Sequence, residues 1–129
     1  HGLRSALEEL AEHTEDLGEA ACHFRCDKPV PIENTQTATQ MFRIAQEAVT
    51  NALRHARPRL IELDLAADEE GIWLTIRDDG QGFRKSSQSD GNGFRIMRHR
   101  AGLIRASLEV TSQPGRGTLV HCQVPRRND

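Results

Sequence analysis

The chain has 129 residues, enough for one domain with its own hydrophobic core. Its 17 basic and 19 acidic residues give a net charge of −2, which argues against the strongly basic surface of a general nucleic-acid-binding domain. Aromatic residues make up only 4% of the chain and no apolar run approaches 18 residues. We therefore expect neither base-stacking platforms nor a membrane span.

The first residue of the chain and the spacing of its cysteines give expectations about the parent protein and its cellular compartment. The sequence begins at His1 without an initiator methionine, which favours a fragment of a longer protein folded as one domain over residues 1–129. Its three cysteines have no disulfide-framework spacing, which indicates free thiols and a reducing compartment. We therefore expect this domain to be cytoplasmic, and both a membrane-anchored and a soluble parent protein remain open.

The first half of the chain alternates helix, strand and helix. Apolar residues at helical spacing predict a helix over residues 3–16, and alternation over residues 22–26 predicts a short strand. Thr35 or Thr37 is the expected cap of a second helix, which should end before Pro58.

The second half changes to a period of two. Residues 61–65 and 72–76 alternate around an acidic turn and predict a hairpin with one buried face. The glycine- and serine-rich stretch from Gly80 to Gly93 predicts a mobile loop before a third helix. A closing hairpin is expected over residues 107–124.

This order of elements predicts an α+β protein, a two-layer α/β sandwich with about three helices on one face of a mixed, about five-stranded sheet. Asp78 continues the parity of the buried positions 72, 74 and 76, so its side chain should point between the helices and the sheet. Because a buried carboxylate is costly without a hydrogen-bond donor, Asp78 raises the question of a ligand.

The second helix carries a polar stripe beside its apolar one. Glu47, Asn51 and His55 are four residues apart, and each step of four rotates an α-helix by only about 40°. Carboxylate and amide oxygens are ligands that suit Mg²⁺, with water and phosphate completing its coordination.

Two glycine segments complete a candidate nucleotide site. Asp78–Gly82 carries two glycines after a strand, which permit positive φ and close approach to a flat ligand. Gly91–Gly93 opens the third helix, whose first N–H groups favour an anion such as phosphate. No glycine-rich run ends in Lys-Ser or Lys-Thr, so the site is not of the Walker type.

These segments resemble the boxes of a known family in the right order over roughly residues 40–125. Residues 43–56 look like the N box, residues 78–82 and 91–93 like two glycine boxes, and residues 115–118 like the closing Gly-Thr element. The chain thus resembles the ATP-binding domain of sensor histidine kinases, in the gyrase, histidine kinase and MutL superfamily with the Bergerat fold. The loop over residues 83–91 is similar to the short lid of the NarX/DesK-like subclass.

The resemblance implies that ATP and Mg²⁺ are the cofactors of this domain. Asp78 would accept a hydrogen bond from the exocyclic amine of adenine, and Asn51 would bind Mg²⁺. Glu47 would be the catalytic candidate, orienting Mg²⁺ or a water. Arg54 or His55 would contact phosphate.

The remaining implied contacts surround the nucleotide. Gly80 and Gly82 would let the chain reach the base, and Thr118 would support the adenine through its hydroxyl or a water. Gly91 and Gly93 would be the hinges of the lid over the triphosphate.

The implied partners are a dimerisation and phosphoacceptor helical domain of the same parent protein and a cognate response regulator. No nucleic-acid or direct membrane contact is expected, and the isolated domain should be a monomer. Two alternative functions are also considered. One is another ATPase of the superfamily or an anti-sigma-type serine kinase, and the other is a degenerate interaction module without nucleotide.

Two positions depart from the family pattern. Phe94 replaces the commoner leucine after the second glycine box. Arg105-Ala106 stands where many relatives carry Gly-Gly, which should affect the end of the third helix because Arg and Ala tolerate positive φ poorly.

Overall fold

The structure is a computed structural model that describes residues 2–81 and 92–125. Its described helices are α1 (Gly2–Asp16), α2 (Thr35–Asn51), a π-helical turn (Ala52–Ala56) that continues α2, and α3 (Asn92–Leu103). None of these helices combines the length and hydropathy that crossing a bilayer would require. Most of the loop predicted between Gly80 and Gly93 lies outside the described residues.

Within the described residues, five strands form one mixed sheet. They are β1 (Ala21–Arg25), β2 (Leu60–Ala67), β3 (Gly71–Asp78), β4 (Ser107–Gln113) and β5 (Gly117–Pro125). The sheet order is β1-β2-β3-β5-β4, with β1 parallel to β2 and the other neighbours antiparallel. The parallel pair is possible because α2 crosses over between β1 and β2. The predicted two-layer α/β sandwich is confirmed.

One apolar cluster fills the space between the helices and the sheet. The strands contribute alternate residues and the helices contribute residues three or four apart, as their periods require. Its most deeply buried apolar members include Leu7, Met41, Ile44, Ile61, Leu63, Leu74, Met97 and Cys122. Phe94 is also buried in this cluster, so its aromatic ring serves the packing of α3.

The three cysteines are free thiols. Burial raises the pKa of Cys22 and of Cys122 to about 11, so both thiols stay protonated at neutral pH. Cys26 is half-buried and contacts the carbonyl oxygen of Lys28 at 3.2 Å.

The start of α2 corrects one expectation. Neither Thr35 nor Thr37 caps this helix, because both lie inside it. Asn34 is the cap, and its side-chain oxygen accepts a hydrogen bond from the backbone N–H of Thr37 at 3.0 Å. Asparagine is at least as good a cap as threonine, which explains why the helix begins one residue after it.

The end of α2 is wider than an ordinary helix. Ala52–Ala56 forms a π-helical turn, and the next residue, Arg57, adopts a left-handed backbone with φ 49°. Pro58 follows and cannot continue a helix. The predicted end before Pro58 is therefore confirmed, whereas the π-helical turn was not anticipated from the α-helical period.

Helix α3 ends in a Schellman motif. The N–H of Ala106 donates to the carbonyl oxygen of Ala101 at 2.9 Å, and the N–H of Arg105 donates to that of Gly102 at 3.2 Å. Arg105 has φ 55°, a left-handed conformation that glycine usually occupies. The positive φ anticipated at Arg105-Ala106 is therefore found at Arg105 and not at Ala106, and the Schellman hydrogen bonds are kept.

We expect Arg105→Gly to raise the free energy of unfolding by about 0.5–1 kcal/mol. The strain of about 1–2 kcal/mol is relieved, and the greater entropy of glycine in the unfolded chain offsets part of the gain. Urea unfolding of both chains in one buffer measures the difference. Arg105→Ala keeps the strain and controls for loss of the side chain. Equal stability of the Gly and Ala variants would contradict this account.

Candidate functional site

The candidate site lies at one end of the sheet, where β2 begins and β3 ends. Ile61 pairs with Asp78 there, and Asp78 pairs with Thr118 at the start of β5. The π-helical turn reaches the same place, because the carbonyl oxygen of Ala56 accepts a hydrogen bond from the N–H of Gln81 at 2.7 Å. The π-helical turn, the start of β2, the end of β3 and the start of β5 therefore meet around Asp78.

Asp78 is buried, as its strand parity predicted. Its residue is only 7% exposed, and its Oδ1 accepts a hydrogen bond from the N–H of Gly80 at 2.8 Å. Burial raises the pKa of this carboxyl, while hydrogen bonds from the backbone of Gly80 and Thr118 oppose that rise and the charge of Asp79 adds to it. An ionised carboxylate has more acceptor sites than these two backbone groups occupy, so Asp78 can accept a further hydrogen bond.

Gly80 is explained by a close contact with Ala56 and not by a positive φ. It is absent from the described glycines with positive φ, so a left-handed backbone does not explain it. A Cβ at this position would lie 2.6 Å from the Cβ of Ala56 and would overlap the carbonyl oxygen of the same residue. Glycine is needed because the chain after β3 lies directly against the end of the π-helical turn.

Gly117 shapes the other side of Asp78. It has φ +89°, and a Cβ there would overlap the carbonyl oxygen of Asp78 and lie 3.2 Å from the Cα of Asp79. In the sequence, Gly117 was recognised only as part of the closing Gly-Thr element, and no separate role was predicted for it. Its signal was the Gly115-Arg116-Gly117 spacing beside a strand, typical of a tight turn.

Thr118 faces inward, as predicted from its parity with Val120 and Cys122. It is 6% exposed, and its Oγ1 lies 3.0 Å from the Oγ of Ser112. A hydroxyl has one donor and two acceptor sites, so this bond leaves Thr118 able to make another.

The polar stripe of α2 divides at the π-helical turn. Glu47 and Asn51 are half-buried in the α-helical part, whereas Arg54 and His55 are exposed in the π-helical turn. The step of 40° applies to Glu47 and Asn51, but the wider turn changes the angle at which His55 projects.

The two glycine segments are described only in part. Gly93 lies in the first turn of α3, and Gly80 has its place beside Ala56. Gly82 and Gly91 lie outside the described residues.

Asp79 is a residue of the site region that sequence reasoning missed. Its Oδ1 accepts hydrogen bonds from the N–H groups of Arg59 at 2.8 Å and Leu60 at 3.0 Å. These bonds hold the pKa of Asp79 below its ordinary value, with the bond to Leu60 contributing most. The partners are 19 and 20 residues away, so no local pattern could have revealed them.

The fold and this buried-carboxylate site define a domain class that the comparisons with known proteins identify. The family described as histidine kinase-, DNA gyrase B-, and HSP90-like ATPase matches residues 36–128. The chain belongs to this family.

The curated relatives indicate which kind of family member the chain resembles. DegS of Bacillus subtilis, a signal transduction histidine-protein kinase/phosphatase, is 31% identical over 131 residues, which cover 96% of this chain and 34% of DegS. NreB of Staphylococcus carnosus, an oxygen sensor histidine kinase, is 33% identical over 94 residues, 71% of this chain and 27% of NreB. The chain thus spans about a third or less of these relatives.

Solved structures with the same fold also include histidine kinase domains. The histidine kinase domain of the blue-light activated histidine kinase from Erythrobacter litoralis superposes with a TM-score of 0.80 at 29% identity, covering 96% of this chain and 61% of that one. The ATP binding domain of PrrB from Mycobacterium tuberculosis shares the fold, with a TM-score of 0.77 at 17% identity, covering 99% of this chain and 96% of that one. Within its family, the chain is an ATP-binding domain of the sensor histidine kinase type.

Proposed function

We propose that this domain binds Mg–ATP and donates the γ-phosphoryl group to a histidine on a helical domain outside this chain. The observation that carries the proposal is the buried Asp78 carboxylate at the end of β3, in a chain of the ATPase family. The other site residues are assigned around it from the resemblance of their segments to the family boxes.

Asp78 recognises adenine in this proposal. Its Oδ1 accepts a hydrogen bond from the N–H of Gly80. The exocyclic amine of the base would donate to an acceptor site of the carboxylate that the backbone leaves open. Thr118 supports the same side of the base through its hydroxyl, which Ser112 orients. A charged acceptor makes this bond strong and directional.

Glu47 and Asn51 fit a Mg²⁺ ion that arrives with the triphosphate. Within residues 2–81 and 92–125, no group of three His, Cys, Asp or Glu side chains forms a protein cage for a metal. One carboxylate and one amide oxygen on half-buried positions of α2 suit Mg²⁺, which keeps waters and phosphate oxygens as further ligands. When bound, Mg²⁺ neutralises charge on the phosphates.

The phosphates would lie between the end of α2 and the start of α3. Arg54 or His55 contacts them from the π-helical turn, and the first N–H groups of α3 at Gly93 favour their negative charge. Gly82 contributes on the base side, and Gly91 with Gly93 forms the hinges of the lid.

Phosphoryl transfer depends mostly on positioning and on neutralising charge, so this domain would supply the donor half of the reaction. Glu47 is the catalytic candidate that orients Mg²⁺ or a water. The acceptor histidine belongs to the dimerisation helices of the parent protein, and a response regulator receives the phosphoryl group next. We propose a cytoplasmic, monomeric domain that contacts neither nucleic acid nor membrane.

We expect Asn51→Ala to weaken Mg–ATP binding about 10-fold, because a metal ligand is lost while the adenine contact remains. Isothermal titration of the 129-residue chain with ATP, with Mg²⁺ and with excess EDTA, measures this. The variant should lose most of the Mg²⁺ dependence that the wild-type chain shows.

Asn34→Ala is the matched control. It removes the cap at the opposite end of the same helix and should cost about 1 kcal/mol of stability without changing ATP affinity. Equal Mg²⁺ dependence in Asn51→Ala and wild type would refute the metal assignment. Absence of ATP binding by the wild-type chain would favour the nucleotide-free interaction module.

A further inference from the structure

We propose that Asp79 is a positioning residue for nucleotide binding, fixing the backbone from which the buried Asp78 reaches the base. The inference rests on the proposed function, because it assigns Asp79 a role in the site that Asp78 forms. It adds a residue whose own side chain is exposed and does not point toward the core.

Asp79 ties the end of β3 to the start of β2 through three hydrogen bonds. Its Oδ1 accepts from the N–H groups of Arg59 at 2.8 Å and Leu60 at 3.0 Å, and its own N–H donates to the carbonyl oxygen of Leu60 at 3.3 Å. The bonds from Arg59 and Leu60 are charge-assisted, which makes them stronger than neutral ones.

The tie lies where the strand ladder stops. The pairing of β2 with β3 ends at Ile61 and Asp78, and beyond it the strands are joined by the backbone bond from Asp79 to Leu60 together with the bonds of the Asp79 carboxylate. The chain before β2 also lacks a backbone donor at Pro58 and adopts the left-handed conformation at Arg57. At this irregular start of β2, the Asp79 carboxylate accepts the hydrogen bonds of the Arg59 and Leu60 N–H groups.

Asp78 is therefore held from both flanks. On the β5 side, the backbone of Asp78 lies against Gly117, too closely for any Cβ. On the β2 side, the adjoining residue Asp79 is tied to Arg59 and Leu60. Displacing a buried carboxylate by even a fraction of an ångström weakens a directional hydrogen bond, so the Asp79 tie should matter for affinity.

Asp79 also acts through its charge. It lines a cavity of about 410 Å³ together with Asp78 and the charged residues Glu62, Arg77 and Arg116. Its negative charge raises the pKa of Asp78, while Arg59 stabilises the charge of Asp79 itself. Position and charge are separable, because asparagine keeps the acceptor oxygen and removes the charge.

The test compares three variants of the 129-residue chain by titration with Mg–ATP at pH 7.5, with urea unfolding in the same buffer. Asp79→Ala should raise the dissociation constant about 10-fold, since bonds to charged groups are lost. Asp79→Asn should stay within about 3-fold of wild type because it keeps the acceptor.

Asp68→Ala is the matched control. Asp68 makes the same pattern of bonds, with Oδ1 accepting from Glu70 at 2.8 Å and Gly71 at 3.2 Å and its N–H donating to Gly71 at 2.9 Å. It lies at the other end of β3, roughly 20 Å from the site. This variant should lose stability comparably to Asp79→Ala and keep wild-type affinity.

A pH series gives a readout that a merely structural role would not change. Asp78 must be ionised to accept from the base, so binding is lost as the pH falls through its pKa. Removing the neighbouring charge in Asp79→Asn lowers that pKa, so binding should persist to lower pH than in wild type. This readout remains available even if Asp79→Ala fails to fold.

The outcomes are distinct. Wild-type binding with unchanged affinity in Asp79→Ala overturns the role of Asp79 and leaves the proposed function intact. Equal affinity losses in Asp68→Ala and Asp79→Ala also overturn it, because the effect would then be one of stability alone. An unshifted pH limit in Asp79→Asn contradicts the charge effect. Absence of ATP binding by wild type overturns the proposed function.

Discussion

Asp78→Asn is expected to weaken ATP binding by about 100-fold while leaving the ligand-free chain at least as stable as wild type at pH 7.5. In wild type both carboxylate oxygens are acceptors, one of them for the N–H of Gly80. An asparagine side chain has one acceptor and one donor group. Whichever way it turns, its NH₂ group faces either the N–H of Gly80 or the amine of adenine.

The expected stability of Asp78→Asn follows from the direction in which the pKa of Asp78 is shifted. Burial raises the pKa of Asp78, so the folded chain binds a proton here more tightly than the unfolded chain does. Ionising Asp78 therefore costs folding stability above its folded pKa, and this cost vanishes below about pH 3.9, where the unfolded aspartate is protonated too. Asparagine carries no such cost at any pH.

Urea unfolding across a pH series measures the difference between Asp78→Asn and wild type. The advantage of the variant should grow as the pH rises from about 3.9 and become constant above the folded pKa of Asp78. A variant that is less stable at pH 7.5 than at pH 3.5, relative to wild type, would contradict the burial argument. Undiminished ATP affinity would contradict the assignment of Asp78 to adenine.

Gly117→Ala should lower the free energy of unfolding by about 3 kcal/mol. The left-handed backbone at φ +89° costs about 1–2 kcal/mol for alanine, and the overlap of its Cβ with the carbonyl oxygen of Asp78 adds about 1–3 kcal/mol. Relief of the overlap would move Asp78, so ATP affinity should fall as well. Urea unfolding and titration with ATP measure the two effects.

Alanine substitutions at other glycines distinguish the cost of the positive φ from the cost of the close contact. Gly115 has φ +81° with open space, whereas Gly80 has the close contact with Ala56 without positive φ. Gly102 has neither and lies in α3, so Gly102→Ala should stabilise the chain by about 0.5–1 kcal/mol. If Gly117→Ala costs no more than Gly115→Ala, the contact with Asp78 contributes nothing and the explanation is wrong.

The features that were predicted from the sequence are those that local periodicity determines. Alternation over β2 and β3 placed one face of the hairpin in the core, and its parity predicted the burial of Asp78. The turn between these strands was evident from Asp68 and the glycine that follows, and the Asp68 carboxylate does bind that turn.

The features that were missed depend on distant contacts or on small geometric differences. The π-helical turn over Ala52–Ala56 has a sequence that an α-helix would also accept, so periodicity could not distinguish the two. The need for glycine at position 80 comes from Ala56, and the bonds of Asp79 reach Arg59 and Leu60. These contacts exist only once β2 and β3 are paired.

The most direct test of the account compares ATP with purine riboside triphosphate, which lacks only the exocyclic amine, as ligands of the 129-residue chain in Mg²⁺. If Asp78 accepts a hydrogen bond from that amine, the wild-type chain should bind ATP at least about 10-fold more tightly than the analogue. The Asp78→Asn chain should lose this preference. Equal affinity of the wild-type chain for the two nucleotides would show that Asp78 does not read the base.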